Sequence, residues 1–279
     1  MSAKVALVTG ASSGIGKATA LKLKALGFTV YAAARRTDRM LSLHSAGIHV
    51  LAMDVTDDGS MSQGVAEIIT RSGRLDVLVN NAGYGSYGSI EEVPLSEARA
   101  QFDVNVFGAV RLTQLVLPHM RGQHAGTIVN ITSMGGKIHT PLGAWYHGTK
   151  FALEAISDCL RMEVEPFGIN VVVIEPGGIK TEWADIAADK LRAMSGAGAY
   201  ASQAHAMAKS MVGDASRKRQ SPPELIANTI AKAVSTHHPK TRYAVGFGAK
   251  PMIFLRRILS DRAFDGFMRM ATGLSRFQS

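Results

Sequence analysis

Residues 5–18 of the chain read VALVTGASSGIGKA, and this stretch decides the fold. An apolar, β-branched run is followed by Gly10, Gly14 and Gly16, and then by the start of a helical pattern. Glycine lets the backbone turn tightly and lets a pyrophosphate approach it, while a helix N-terminus supplies unpaired N–H groups and a favourable dipole. The strand–turn–helix context therefore predicts a dinucleotide-phosphate cradle at the head of a βαβ unit.

The rest of the chain alternates short apolar runs with longer helical patterns. The strand-like runs are KVALVTG, FTVYAAA, IHVLAMD, LDVLVN, GTIVNIT, INVVVIEP and TRYAVG. Helical patterns cover GKATALKLKALG, 57–72, 98–120, AWYHGTKFALEAISDCLRMEVEPFG and PPELIANTIAKAVSTH. Strands that are apolar throughout and separated by helices indicate a parallel sheet covered on both faces. We therefore expect residues 1–279 to form a single α/β domain, a Rossmann-type doubly wound parallel sheet with helices on both faces.

Composition excludes several classes of protein. The chain has 279 residues with 46% hydrophobic and 19% charged residues, which is ordinary for a globular domain. Its one cysteine, Cys159, excludes an intramolecular disulfide and a multi-cysteine zinc site, and we expect no metal site. The net charge of +9 comes from scattered basic residues, which favours a solvated surface over nucleic-acid binding. No secretory signal and no apolar run of roughly 20 residues is present, so we expect a cytoplasmic protein.

YHGTK, residues 146–150, places a tyrosine and a lysine four residues apart. On a helix these two side chains project from the same face. Free tyrosine has a pKa near 10, too high for an efficient base at neutral pH. A neighbouring ammonium, together with a positively charged oxidised nicotinamide ring, would lower the pKa of Tyr146. Tyr146 and Lys150 are therefore candidates for an acid/base pair that moves a hydroxyl proton.

The second strand ends YAAARR, residues 31–36. Folds of this kind that prefer NAD carry an acidic residue near this point to bind the ribose 2′-hydroxyl, and Ala34 stands there instead. Arg35 and Arg36 follow, and an arginine can hold a 2′-phosphate by charge-assisted hydrogen bonds. This pattern favours NADP(H) over NAD(H).

Several motifs together resemble the short-chain dehydrogenase/reductase family. TGASSGIG has the family's Gly-x-x-x-Gly-x-Gly spacing, and the segments LVNNAG, DVNVFG, YHGTK and IEPGGIKT follow in the family's order. The resemblance covers residues 4–245 and is closest to the steroid- and retinol-dehydrogenase-like branch.

The resemblance implies roles for four catalytic residues. Ser133, thirteen residues before Tyr146, would hydrogen-bond the substrate oxygen. Asn105 would hold a water in the proton relay, and Lys150 would support Tyr146 as the acid/base. Their joint presence argues against a non-catalytic nucleotide sensor, which we keep as the alternative of another class.

The resemblance also implies the cofactor contacts. LVNNAG would close the adenosine side and stabilise the sheet through residues 80–83, whereas IEPGGIKT would contact the nicotinamide. The cofactor-binding residues that we expect, beside Arg35 and Arg36, are Gly10, Ser12, Ser13, Gly14, Ile15, Gly16, Asp54, Val55, Asn81, Ala82, Gly83, Tyr146, Lys150, Pro176, Gly177, Ile179 and Thr181.

Residues 182–221 are too long for a plain connection and, by analogy with the family, cover the active site as a lid. Their small, apolar, Met-rich composition favours a lipophilic alcohol, ketone or aldehyde of steroid, retinoid or fatty type. A 3-oxoacyl-thioester reductase is the alternative enzyme. Pocket lining and plain core packing are equally open roles for Tyr84, Tyr87, Pro141, Leu142 and Trp183.

The family assembles through its long central helices, which here correspond to residues 98–120 and 145–168, so we expect a homodimer or homotetramer. The helical extension 250–279 mixes apolar residues with arginines. We expect it to pack over the substrate mouth or at a subunit contact, with weak peripheral membrane contact as the other possibility. His147 is expected to have a packing or surface role, and Cys159 is expected to be a buried packing side chain.

Overall fold

The computed structural model of the protein describes residues 3–274 and contains one seven-stranded parallel sheet. Its strand order is β3-β2-β1-β4-β5-β6-β7. The strands are β1 Val5–Thr9, β2 Thr29–Ala34, β3 His49–Ala52, β4 Val77–Asn80, β5 Gly126–Ile131, β6 Ile169–Pro176 and β7 Arg242–Val245. The predicted α/β fold with a parallel sheet is confirmed.

The helices of the described part of the chain lie on both faces of this sheet. They are α1 Gly14–Ala25, α2 Leu41–Ser45, α3 Asp58–Ser72, α4 Leu95–Phe102, α5 Gly108–Gln123, α6 Ala144–Val164, α7 Trp183–Ser195, α8 Ala201–Val212, α9 Asp214–Arg219, α10 Pro223–Ser235, α11 Ala249–Ile258 and α12 Asp261–Ala271. Alternate residues of β1 pack in two different core clusters, one for each layer of helices. Ala6 and Val8 belong to one cluster, and Val5 and Leu7 belong to the other. A strand buried on both faces is apolar throughout, as the sequence indicates.

The strand order reverses beside β1, which has β2 on one side and β4 on the other. In an open parallel sheet, such a reversal leaves a crevice outside the carboxyl ends of the strands. The glycine-rich turn follows β1 and the NNAG segment follows β4. The topology therefore brings two of the predicted motifs to one edge.

The long helix predicted over 98–120 is divided into three parts. It begins at Leu95 as α4, passes through a π-helical turn at Asp103–Phe107 and continues as α5 to Gln123. A π-turn accommodates one additional residue per turn and is common at functional sites. Hydrophobic periodicity does not reveal this local insertion, which contains the buried Asn105.

Residues 182–221 contain the three helices α7, α8 and α9 instead of a plain loop. Helices α7 and α8 pack together through Ala187, Leu191 and Ala204, which are buried. Helix α12 places Phe264 and Met268 against Ile138, so one face of the C-terminal extension packs on the domain. Residues 275–279 of the predicted extension lie outside the described residues.

The side chain of Cys159 is exposed, so the expectation that it is buried is wrong. Cys159 lies two residues after the buried Ser157 and falls on the outward face of α6. His147 is 6% exposed, so of the packing and surface roles expected for it, the structure shows packing. Within residues 3–274, no helix is long and apolar enough to cross a bilayer.

Candidate active site

The glycine-rich turn has the backbone geometry that a phosphate cradle requires. Gly10 and Gly14 have φ angles of +63° and +51°, in the left-handed region that favours glycine. A Cβ on Gly16 would collide with the carbonyl oxygen of Gly10. Ser13 stands at the N-cap of α1, and its side chain does not cap the helix. The first N–H groups of α1 therefore face a small concave turn without a side-chain acceptor from Ser13, and this arrangement fits a dinucleotide pyrophosphate.

Thr9 and Asn81 join the turn after β1 to the turn after β4. The hydroxyl of Thr9 donates to the carbonyl of Val79 at 3.2 Å and accepts from the backbone N–H groups of Asn81 and Ala82, both at 3.0 Å. The Asn81 amide donates to the carbonyl of Thr9 at 2.8 Å and to that of Gly10 at 3.3 Å. These bonds hold two predicted cofactor segments in one rigid unit.

Asn80 stabilises the sheet itself, as the resemblance implies. Its amide donates to Asn130 Oδ1 at 2.9 Å, to Thr113 Oγ1 at 3.2 Å and to the carbonyl of Ala109 at 3.3 Å. The side chains of Asn80 and Asn130 are both buried. A buried amide bonded to a neighbouring strand and to α5 fixes the spacing between them.

The turn after β2 carries Arg35 and Arg36 on the surface, beside the end of β3. Arg35 Nη1 lies 4.0 Å from Asp54 Oδ2, and 73% of the Arg35 side chain is exposed. Asp54 Oδ1 accepts from the backbone N–H of Thr56 at 3.0 Å, whereas Val55 packs against the core. This edge therefore presents a positive group beside a fixed carboxylate, near the turn after β1.

Tyr146 and Lys150 lie on one face of α6, and both are buried. Lys150 Nζ donates to the carbonyl of Ile131 at 3.0 Å and lies 5.9 Å from the ring centroid of Tyr146. Burial lowers the pKa of Lys150 to about 8, and the negative charge of Glu154 opposes this effect. The helix thus holds an ammonium of reduced pKa beside the tyrosine.

Ser133 follows β5, and its hydroxyl accepts from the backbone N–H of Gly135 at 2.9 Å. Burial raises the pKa of Tyr146 to about 12, whereas the hydrogen bond with Ser133 lowers it. In the protein without a dinucleotide, desolvation outweighs hydrogen bonding. The lowered pKa of Tyr146 that is expected beside an oxidised nicotinamide stays a prediction. At neutral pH Tyr146 is a protonated acid with Ser133 as its hydrogen-bond partner.

Asn105 stands in the π-turn and holds the loop after β4 against α6. Its Oδ1 accepts from the backbone N–H of Tyr84 at 3.0 Å, and its Nδ2 donates to the carbonyl of Tyr84 at 2.9 Å. The same Nδ2 donates to Thr149 Oγ1 at 3.1 Å. A Cβ on Gly83 would lie 3.0 Å from Asn105 Oδ1 and 3.8 Å from Lys150 Nζ, so these groups converge on Gly83.

The segment after β6 reaches back to the glycine-rich turn. Pro176 ends the strand, and Gly177 donates its N–H to the carbonyl of Val245 at 2.8 Å. Ile179 is buried and forms a bridge with Ser221. The methyl group of Thr181 would be 3.0 Å from a Cβ on Gly14. The predicted nicotinamide segment therefore lies directly on the predicted phosphate cradle.

Aromatic rings surround Tyr146. The ring centroids of Tyr87 and Trp183 lie 5.5 Å and 5.0 Å from that of Tyr146. Gly85 provides the space for Trp183, because a Cβ there would collide with its indole ring. The base of α7 therefore covers the candidate acid, which is 6% exposed.

The other pocket candidates divide between two places. Leu142 packs in the cluster around Tyr146, and Pro141 precedes it with a half-buried side chain. Tyr84 lies elsewhere, with its ring 4.8 Å from Lys190 Nζ and its hydroxyl donating to Glu97 at 3.3 Å. Tyr84 thus ties α7 to α4 and does not contact Tyr146 through its ring.

His147 is buried behind Tyr146. Its Nδ1 lies 2.8 Å from the carbonyl of Gly135, and its Nε2 lies 3.0 Å from Thr140 Oγ1. Burial lowers the pKa of His147 to about 4. A neutral imidazole in this place holds the loop after Ser133.

Sequence reasoning missed a buried charge network behind Lys150. Glu154 is 3% exposed and accepts from Thr132 Oγ1 at 2.6 Å, and it pairs with Lys137 Nζ at 2.9 Å and Arg242 Nε at 3.0 Å. The available signal was its position one helical turn after Lys150, on the same face. Nothing in the sequence pattern indicates the two distant cations.

Comparison with known proteins gives the same family as the geometry. The family model described as short chain dehydrogenase matches residues 4–191 of the chain. A 3-ketodihydrosphingosine reductase from Bacteroides thetaiotaomicron is 41% identical over 185 residues, 66% of this chain and 67% of that relative.

Two solved structures extend this similarity over the fold. A short-chain dehydrogenase from Streptomyces avermitilis is similar with a TM-score of 0.80 at 34% identity, and covers 99% of this chain and 100% of its own. A metagenomic short-chain oxidoreductase in complex with NADP has a TM-score of 0.69 at 26% identity, over 88% of this chain and 97% of its own. The chain belongs to the short-chain dehydrogenase/reductase family.

Proposed function

We propose that this oxidoreductase transfers a hydride between NADP(H) and a lipophilic alcohol, ketone or aldehyde. The observation that carries the proposal is the position of Tyr146. It is a buried, protonated acid that shares a helix face with Lys150, hydrogen-bonds Ser133 and lies under the aromatic base of the lid. This arrangement suits proton exchange with a substrate oxygen in an apolar enclosure.

The glycine-rich turn and the first turn of α1 would hold the pyrophosphate, with Arg35 and Arg36 near a 2′-phosphate. The bound dinucleotide supplies or accepts the hydride. The NADP complex of the metagenomic relative supports this choice of cofactor. The surface charge of Arg35 and the absence of a carboxylate at Ala34 support it as well.

In the direction of reduction, Tyr146 would donate its hydroxyl proton to the carbonyl oxygen while the carbonyl carbon receives the hydride. Ser133 would hydrogen-bond the same oxygen, and Lys150 would stabilise the phenolate that forms. Asn105 would support the proton relay that restores Tyr146. Because burial raises the pKa of Tyr146 to about 12 in the protein without a dinucleotide, the acid form that reduction requires is the form present at neutral pH.

A long-chain or otherwise lipophilic carbonyl compound, of fatty, steroid or retinoid type, is the substrate class that we propose. Tyr87, Leu142 and Trp183 provide apolar surface beside Tyr146. The relative named 3-ketodihydrosphingosine reductase supports a ketone on a long alkyl chain. An aromatic, apolar enclosure binds such a group better than it binds a sugar.

We also propose that the protein works as a homodimer or homotetramer. Phe107, Phe151 and Met162 expose 59%, 45% and 64% of their surface on the outer sides of the π-turn and α6. These side chains lie on the two segments through which the family assembles. On α11, Phe254 and Ile258 are also exposed, and they are the residues through which a weak peripheral membrane contact would form.

The test follows nicotinamide absorbance with NADPH against a panel of ketones, aldehydes, steroids, retinal and 3-oxoacyl thioesters. Tyr146→Phe keeps the ring contacts and removes the proton, so turnover should fall by roughly 10²- to 10⁴-fold with cofactor binding retained. If a 3-oxoacyl thioester is the best substrate, the protein is a 3-oxoacyl-thioester reductase. Binding of NADPH without turnover across the panel would favour the nucleotide sensor.

A further inference from the structure

Arg39 and Glu182 form a bidentate ion pair between two distant parts of the chain. Arg39 Nη1 donates to Glu182 Oε2 at 3.1 Å, and Nη2 donates to Oε1 at 2.5 Å. Arg39 stands in a short 3-10 turn after β2, whereas Glu182 immediately precedes α7. The pair, which we name the clasp, thus connects the turn after β2 to the base of the lid.

The clasp lies at the predicted cofactor cleft. Its lid side begins at Thr181, whose methyl group lies over Gly14 in the phosphate cradle. Its other side belongs to the turn that carries Arg35 and Arg36. Arg36 is also close enough to Glu182 to help lower the pKa of that carboxyl group, after the dominant effect of Arg39. The Glu182 carboxylate therefore occupies the positive region that a phosphate would enter.

The guanidinium of Arg39 can exchange the carboxylate of Glu182 for another anion. Arg39 and Glu182 are 34% and 52% exposed, and exposed ion pairs contribute little to stability. A phosphate dianion can accept the same two parallel N–H bonds from the guanidinium and carries more charge. The lid also has ties farther along, where Lys190 of α7 pairs with Glu97 and Ser195 accepts from the backbone N–H of Ser89. Release of the clasp would therefore remove one of the contacts that hold the base of α7, where the packing of Trp183 and the Asp185–Arg217 ion pair remain, while its far end stays attached.

We propose that Arg39 is a further ligand for the 2′-phosphate and that Glu182 binds the guanidinium of Arg39 until this phosphate replaces it. The inference rests on the proposed NADP(H) function. A dinucleotide with the 2′-phosphate takes Arg39 from Glu182 and releases the base of the lid beside Trp183. A dinucleotide without that phosphate leaves the clasp closed. The clasp thereby links cofactor choice to access to Tyr146.

The test measures dissociation constants of NADPH and NADH by fluorescence titration. The variants are Arg39→Ala and Glu182→Gln, with Asp189→Asn as the matched control, because Asp189 forms an exposed ion pair with Arg192 within the same helix α7. Glu182→Gln should tighten NADPH binding by roughly threefold to tenfold, since it removes the competing charge. Arg39→Ala should weaken NADPH binding by about tenfold, and NADH binding should change less than about twofold in both variants.

Hydrogen exchange of residues 182–188 provides a second readout without turnover. Saturating NADPH should raise exchange there in the wild type, NADH should not, and Glu182→Gln should raise it with neither cofactor. Weaker NADPH binding by Glu182→Gln, or equal effects on both cofactors, would overturn the clasp while the proposed function stands. A wild-type protein that binds neither dinucleotide would overturn the proposed function as well.

Discussion

Replacement of Lys150 by methionine should make the protein more stable and inactive. Lys150 is 7% exposed and carries an ammonium into the interior beside Tyr146. Burial lowers its pKa from 10.5 to about 8, against the opposing charge of Glu154. Methionine has a similar length and no charge, so Lys150→Met removes the desolvation penalty and leaves the packing nearly unchanged.

The size of the effect follows from the two pKa values. A fall from 10.5 to about 8 corresponds to about 3 kcal/mol of destabilisation at neutral pH. The variant also loses the hydrogen bond from Lys150 Nζ to the carbonyl of Ile131, which costs about 1 kcal/mol. The net gain is about 2 kcal/mol, which for a chain of 279 residues corresponds to about 3 to 4 °C in the midpoint of thermal unfolding.

The gain should depend on pH in one direction. Between pH 8 and 10.5 the unfolded chain binds the lysine proton and the folded chain releases it, so the wild type becomes more stable as pH rises. Below pH 8 both states hold the proton and the penalty is complete. The advantage of the variant should therefore be constant below pH 8, decline above it and change sign before pH 10.5, where only the lost hydrogen bond to Ile131 remains.

Chemical denaturation at pH 7, 8, 9 and 10 measures this dependence directly. Lys232→Met is the matched control, because Lys232 is an exposed lysine on α10 and should change the free energy of unfolding by less than about 0.5 kcal/mol. A Lys150→Met protein that is less stable than the wild type at pH 7, or a difference that does not vary with pH, would refute the reasoning. Turnover should be lost in the same variant, which separates stability from catalysis.

Three further substitutions test the cradle, a helix and a buried carboxylate by thermal unfolding. Gly16→Ala should destabilise by about 1–3 kcal/mol and weaken NADPH binding, since its methyl group collides with the Gly10 carbonyl; an unchanged midpoint would contradict this. Gly266→Ala adds a methyl group in open space on α12, so it should stabilise the folded protein by about 0.5–1 kcal/mol. A lower unfolding midpoint would contradict this prediction. Asp76→Asn should cost about 2 kcal/mol, because a charged, bidentate bond to Arg74 is weakened; a neutral effect would show that the pair is dispensable.

The sheet and the order of its motifs could be predicted because both depend on local rules. Val5, Leu7, Ala6 and Val8 are apolar on alternate faces, and this pattern requires cover on both sides. In a parallel sheet every carboxyl end lies at one edge, so motifs that follow strands meet there. The convergence of Asn81 on the glycine-rich turn follows from this topology.

Features that depend on distant pairs or on one local insertion could not be predicted. The π-turn at Asp103–Phe107 changes the phase of a helix without changing its composition. Arg39 and Glu182 are 143 residues apart, and no spacing rule connects them. The residue type of Cys159 favours the interior, but the helix phase directs its side chain outward.

The pKa of Tyr146 shows why the spacing of two ionisable residues in the sequence is not enough to predict their pKa values. The spacing of Tyr146 and Lys150 predicts a stabilised phenolate, yet burial raises the pKa of Tyr146, which packs against Trp183 and Tyr87, to about 12. Burial also lowers the pKa of Lys150 to about 8. The same low-polarity enclosure strengthens the electrostatic interaction between any two charges placed within it. A positive charge that arrives beside Tyr146 therefore acts on it far more strongly than it would in water. The enclosure that keeps Tyr146 protonated in the protein alone is also what makes it responsive to the charge of its cofactor.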